Sequence, residues 1–188
     1  MLLVRPLPTH LPSYANALQR GWSADTVRGA DAAREELAWI AADPAGFLAS
    51  LDDPQAKGPP VTLGDGRQVP RLPGFRRWMW DEEDDRFAGS INLRWQPGTA
   101  ELPPHCLGHI GYSVVPWKRR RGFATQALAG MLAEARALGL PWVDIRTDAD
   151  NPASQRVIEA NGGVRADHPL PPLQPGAAAG WRYLVHLR

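Results

Sequence analysis

The sequence predicts an α/β domain built on a mixed, mostly antiparallel sheet, and three observations predict it. Two strand-like runs, Gly74 to Trp80 and Phe87 to Trp95, flank the acidic stretch Asp81 to Asp85 and read as a hairpin. A third run, Ile110 to Val115, is rich in β-branched and aromatic residues and is stopped by Pro116. Two strand–helix units follow it. Neighbouring strands succeeded by strand–helix units fit a mixed sheet better than a wholly parallel one.

Taken in order, Leu2 to Leu7 is a short apolar segment read as a first strand. Pro12 opens a helix with Leu11, Ala15 and Leu18 on one face, and Gly21 closes it. Ala33, Leu37 and Ile40 mark a second helix. Asp43-Pro44 is a cap followed by proline at the first helical position, starting a further turn or two through Phe47, Leu48 and Leu51. Asp52 to Pro73 is rich in proline and glycine and reads as a long irregular loop, functional or mobile. The turn Asp81 to Asp85 reads as solvated, because its like charges repel; the alternative is an electrostatic site for a cationic substrate. Gln96 to Leu107 connects to the central strand.

From Ala124 the apolar residues Ala127, Leu128, Met131, Leu132, Ala135 and Leu138 form one helical stripe, ended by Gly139 and Pro141. Trp142 to Thr147 is a strand. Asn151, an N-cap, and Pro152 open a helix that runs to Asn161-Gly162-Gly163. Val164 to Ala166 is a short strand, a proline-rich loop follows, and Gly180 to Leu187 closes the chain as an alternating strand.

The 188 residues suffice for one domain, 1–188, with a sizeable core. Lys plus Arg is 21 and Asp plus Glu is 20, so no global charge field points to nucleic acid or an acidic membrane. The sole cysteine, Cys106, excludes an internal disulfide framework and fits a reducing cytoplasm. No apolar run approaches the ~20 residues of a membrane span, and the N-terminus has no signal-like segment. His105, His168 and His186 lack metal-ligand spacing, so no metal is expected. A basic turn without interleaved aromatics argues against RNA binding.

That turn carries the chemistry. Arg119, Arg120 and Arg121 stand just before Gly122, where the long helix begins. A helix start leaves its first N–H groups unpaired and carries partial positive charge, which attracts phosphate. Gly122 and Ala124 leave that backbone open, and Thr125 adds a hydroxyl. The stretch reads as a diphosphate cradle, or else as a helix opened by solvated arginines.

The order strand, Arg-x-x-Gly-x-Ala, helix, with Arg119, Gly122 and Ala124 in place, resembles motif A of the GNAT superfamily of acyl-CoA-dependent N-acetyltransferases. Asn151-Pro-Ala-Ser-Gln-Arg-Val-Ile-Glu-Ala-Asn-Gly162 resembles the segment after that family's fifth strand. Gly-His-Ile-Gly-Tyr from Gly108 and Asn-Pro-Ala-Ser resemble the branch of ribosomal-protein N-terminal acetyltransferases. A group of predicted acetyltransferases, with Leu-Arg after Ile-Asn and Gly-Gly after the last helix, is closer still. The resemblance implies a splayed sheet of about six to seven strands flanked by about four helices. It implies acetyl-CoA as cosubstrate, its pantetheine between the fourth and fifth strands. Ser113 and Val114 would hold the pantetheine amides, while Arg119, Arg120, Arg121, Gly122, Phe123, Ala124, Thr125 and Asn151 would complete the cofactor site.

Two departures bear on mechanism. The tyrosine that many members carry seven residues after the asparagine is Ile158 here, leaving Ser154 as the hydroxyl acid, or else as a local cap. His109 stands where a carboxylate often serves as base, or else is a hydrogen-bonded strand histidine. The expected function is acetyl transfer from acetyl-CoA to a primary amine of a small molecule or peptide, in a ternary complex. The alternatives are a ribosomal-protein or peptide N-terminal acetyltransferase and a silent acyl-CoA-binding module. The oligomeric state is open, a homodimer being one option.

Overall fold

The computed structural model describes residues 1–63, 65–170 and 179–187. After β1 (Leu2–Val4), α1 (Leu11–Gln19) buries Leu11 and Leu18 as expected, with Tyr14 and Ala17 beside them, while Ala15 is only half-buried. α2 (Ala30–Ala42) and α3 (Pro44–Ser50) follow, α3 being capped by Asp43, whose carboxylate accepts the Gly46 N–H at 2.8 Å. The loop expected over Asp52 to Pro73 is not wholly irregular. It contains β2 (Asp52–Asp53) and a two-residue hairpin of β3 (Val61–Thr62) and β4 (Gln68–Val69).

The main sheet has the order β1–β5–β6–β7, where β5 is Gly74–Asp81, β6 Arg86–Arg94 and β7 Ile110–Val114; β2 also pairs with β5. α4 (Phe123–Ala137) then leads to β8 (Trp142–Asp148), α5 (Pro152–Glu159), β9 (Val164–Arg165) and β10 (Gly180–His186). The last three strands form a second sheet, β8–β10–β9, and every ladder described is antiparallel. Part of the proline-rich connection ahead of β10, residues 171–178, lies outside the described residues.

Strand alternation gives the main sheet two unlike faces. Met79, Ile91, Leu93 and Ile110 pack with α4, α5 and the second sheet. Trp78, Trp80 and Phe87 pack with Tyr14 of α1, Phe47 of α3 and Trp22 from the chain just after α1. Tyr14 stacks on Trp78 with ring centroids 4.3 Å apart.

The two sheets meet at one bridge, Gly108 to Ile145, and part beyond it. Gly108 has φ +93°, and a Cβ there would stand 2.7 Å from the Asp144 carbonyl oxygen, so glycine alone permits this approach.

The acidic turn is solvated as expected from Glu82 to Asp85, all exposed, and the reading needs correcting at Asp81 alone, which ends β5. Asp81 is 2 % exposed; its carboxylate takes Lys118 Nζ at 2.8 Å and Arg121 Nη1 at 2.7 Å. Asp84 takes Lys118 as well, at 2.5 Å, and Glu83 takes Arg121 at 2.5 Å. Burial pushes the Asp81 carboxyl up, but Lys118, the Glu83 N–H and Arg121 together hold it below its ordinary value. The acidic and basic turns therefore neutralise each other across the end of the sheet. Lys118→Met strands a buried carboxylate and is expected to cost about 3 kcal/mol, the low end for a broken buried pair because Arg121 remains. That is a fall in Tm of about 6–12 °C. Adding Asp81→Leu should restore much of the loss; an unchanged Tm in Lys118→Met would contradict this account.

Candidate active site

Where β7 and β8 diverge, the fold leaves a cleft of about 980 Å³. One wall is Gly111, Tyr112 and Ser113 of β7; another is β8 from Ile145 to Asp148, with Asn151 and Ser154 at the start of α5. The cleft also reaches the face of β6 carrying Ser90, Asn92 and Arg94, and the chain between α1 and α2. β7 pairs with β6 along one edge only, so its other edge turns toward the opening.

The basic turn lies beyond this cleft, past the end of β7. Pro116–Lys118 forms a 3-10 turn, and Arg120 takes the left-handed conformation at φ +62°. Gly122 follows at φ +78° as the N-cap of α4, and no side chain caps that helix. The first intrahelical bond is the Gln126 N–H to the Gly122 carbonyl, 3.1 Å. The N–H groups of Phe123, Ala124 and Thr125 thus have no intrahelical partner. A Cβ on Gly122 would meet only Gln126 Nε2, at 3.5 Å, so the space over these donors is open. An uncapped helix start with room above it suits a diphosphate.

The arginines have separate fates. Arg119 and Arg120 are exposed, and Arg119 Nε donates to the Val114 carbonyl at 3.3 Å. Arg121 is engaged by Asp81 and Glu83 and lies over the Phe123 ring, 4.9 Å from its centroid. Ser113 Oγ accepts from Trp22 Nε1 at 3.1 Å, and the Ser113 backbone is paired with Ser90 in the ladder to β6, so the expectation that it faces the opening is corrected: the backbone groups on the open edge are those of Tyr112 and Val114. Thr125 contributes structurally too: its carbonyl accepts from Asn161 Nδ2 at 3.2 Å, tying the starts of α4 and the end of α5 together.

At α5, Asn151 Oδ1 accepts the Ser154 N–H at 3.1 Å. The Ser154 hydroxyl is left free of the cap and lies 2.8 Å from the Tyr112 hydroxyl. Burial raises Tyr112 to about 12, although the Ser154 bond lowers it, so the phenol stays protonated at neutral pH. Ile158, at the expected tyrosine position, is fully buried in the core. A tyrosine does stand beside Ser154, but β7 supplies it. The sequence could have signalled it through alternation, since Tyr112 points opposite to Gly111 and Ser113; its partner 42 residues away could not be read.

His109 does not line the cleft and is 1 % exposed. The ladder becomes irregular at Gly108, and the imidazole turns toward β8. The His109 N–H donates to the Asp144 carbonyl at 2.7 Å, and Nδ1 accepts the Asp144 N–H at 3.0 Å. Its ring packs edge-on to Trp142. An accepting Nδ1 puts the ring proton on Nε2, so neither nitrogen keeps a lone pair for an amine. Here the strand-histidine alternative fits the geometry: His109 pins the two sheets together where they part.

Burial also pulls the His109 pKa below 6.5, outweighing the attraction of Asp144. The unfolded chain therefore takes the proton first. The stability this contributes is full above about pH 6.5 and is lost as pH falls from there through the lower folded value. Melting scans from about pH 8 to pH 5 should show a steeper fall for the natural chain than for His109→Asn; parallel curves would refute the assignment.

The profile of the acetyltransferase (GNAT) domain matches residues 2–164. The chain belongs to the GNAT acetyltransferase family. No curated protein matches it. Among solved structures, a Salmonella typhimurium acetyl transferase that modifies the N-terminal serine of ribosomal protein L7/L12 is 13 % identical, with 99 % of this chain and 94 % of that one covered at TM-score 0.63. The ribosomal-protein-S5-alanine acetyltransferase from Vibrio fischeri is 14 % identical, with coverage of 98 % and 92 % at TM-score 0.61. A microcin C7 self-immunity acetyltransferase, in complex with acetyl-CoA and AMP, is 12 % identical, with coverage of 98 % and 91 % at TM-score 0.61. These likenesses show a shared GNAT fold. Among the described residues no cluster of three or more His, Cys, Asp or Glu is placed to hold a metal ion, and no helix is long and apolar enough to cross a membrane.

Proposed function

We propose that this GNAT protein transfers acetyl from acetyl-CoA to a primary amine of a small molecule or peptide, by direct attack in a ternary complex. The observation that carries the proposal is the order of three features: the uncapped start of α4 past the end of β7, the edge of β7 that β6 leaves unpaired, and the Ser154–Tyr112 pair in the cleft. Acetyl-CoA supplies the activated acetyl thioester. The N–H groups of Phe123, Ala124 and Thr125 receive the diphosphate, with Arg119 and Arg120 free to neutralise further phosphate. Arg121 acts through Asp81, holding the turn in shape. The backbone of Val114, which faces away from β6, receives the pantetheine arm, and Asn151 orients Ser154.

Ser154 Oγ gives a proton to the departing thiolate and draws on the Tyr112 hydroxyl behind it. His109 is not assigned the base role. The imidazole that lines the cleft is His105, and it is the one an amine would meet. The protein works in a reducing cytoplasm, in keeping with its single unpaired cysteine.

Ribosomal-protein or peptide N-terminal acetylation is a second reading, favoured by full-length likeness to two such enzymes. The third, a silent acyl-CoA-binding module, rests on Ile158 at the tyrosine position, which the Ser154–Tyr112 pair answers. An assay of thiol release from acetyl-CoA, across small amines and peptides beginning with serine or alanine, separates the three. Turnover on one class is expected. Retained CoA binding with no turnover on any acceptor would leave the silent module.

A further inference from the structure

Arg94 is the one cleft-lining arginine whose side chain makes no hydrogen bond or salt bridge among the described residues. The other three each have a contact. Arg71 Nε donates to the Pro59 carbonyl at 3.0 Å, and Arg76 meets Glu36 at 3.2 Å. Arg146 pairs loosely with Asp144, whose Oδ2 lies 3.8 Å from its Nε and is held by Arg182 at 2.8 Å, while Oδ1 is buried without a hydrogen-bond partner. The Nε atoms of Arg94 and Arg146 are both sealed from solvent without a hydrogen-bond partner.

Arg94 and Arg146 line the same cleft. Arg94 shares the β6 face of Ser90 and Asn92, and Arg146 lies opposite the core-facing Val143 and Ile145 on β8. Cys106, itself buried, lines the same cleft; burial raises its pKa, and the two arginines oppose that rise, while burial lowers the Arg94 pKa with only the thiol to oppose it. The carboxylates of the same cleft are occupied elsewhere: Asp25 accepts the Val27 and Arg28 N–H groups, and Asp53 those of Lys57 and Gly58. Asp148 is exposed at the far end of β8. A guanidinium whose Nε is sealed from solvent and that has no anion, as at Arg94, is costly, and its fork matches a carboxylate or phosphate.

We infer that the acceptor amine carries an anionic oxygen group, a carboxylate or phosphate, which Arg94 and Arg146 bind beside Cys106. This rests on the acetyl-transfer reading and names its substrate class. The pair lines the cleft from two strands, Arg94 from β6 and Arg146 from β8, whereas the diphosphate cradle lies past the end of β7. Binding the acceptor by its anion leaves its amine free for the thioester.

The test uses the whole chain saturated with CoA, so that the phosphate cradle is filled. Calorimetry compares matched amines: β-alanine with its amide, O-phosphoethanolamine with ethanolamine, and the dipeptide Ala-Asp with Ala-Asn. In at least one pair the anionic member should bind at least ~10-fold tighter, as a lost charge-assisted bond implies. The carboxylate, phosphate and peptide arms tell the sources apart. Arg94→Gln and Arg146→Gln should each erase the preference while keeping the CoA-induced rise in Tm. If Arg94→Gln does not fold, Arg146→Gln decides, its side chain being 22 % exposed and more tolerant of change.

Equal binding within every pair, or a preference that survives in the variants, overturns the inference. Thiol release is measured on the same compounds. Anion preference without release would leave the anion site standing and remove the transferase reading; release that favours the neutral partners would do the reverse.

Discussion

Gly122→Val is expected to abolish the rise in Tm that CoA produces. At φ +78° a β-branched residue is strained, by about 1–3 kcal/mol, so the unliganded protein should melt somewhat lower. It should still fold, because the new Cβ meets nothing closer than Gln126 Nε2 at 3.5 Å. The methyl groups would instead fill the space over the free N–H groups at the start of α4. A ligand at a hundred times its Kd stabilises the folded state by about 2.7 kcal/mol, and that gain disappears when the site is filled. Thermal scans of both proteins with and without CoA measure it. An undiminished shift in the variant would place the diphosphate elsewhere.

Ser154→Ala should lower turnover by about 10²–10⁴-fold with CoA affinity nearly unchanged, as when a transition-state proton donor is lost. The helix should survive, since Asn151 caps it through the Ser154 backbone and not through the hydroxyl. Tyr112→Phe keeps the ring and removes the hydroxyl 2.8 Å from Ser154 Oγ, so it should lower turnover less. Steady-state kinetics on any accepted amine, beside CoA titration, separates binding from chemistry. Normal turnover in Ser154→Ala would end the assignment and leave a water or the substrate to protonate the thiolate.

His109 and Asp81 show where linear reading stops. Strand alternation puts His109 on the face of Gly111 and Ser113, beside a space suited to an acceptor. The rule holds only while the ladder is regular, and at Gly108 the chain bends so that the imidazole bonds to Asp144, 35 residues on. Likewise, five acidic residues in a row repel one another when considered alone. Lys118 and Arg121 stand 37 and 40 residues beyond Asp81, and contact with them makes it a buried anchor.

What the sequence by itself determined is local. Spacing, caps and breakers fixed α1, the Asp43 cap, the strand–turn–helix at Gly122 and the Asn151 cap, because each depends on neighbours within about five residues. Its family motifs lie in those same local units, so the GNAT assignment was legible too. Tertiary structure decided which arginines are free, which hydroxyl meets Ser154 and which histidine reaches the cleft. Those outcomes depend on contacts that only folding makes, between residues tens of positions apart, where no short-range pattern constrains the pairing.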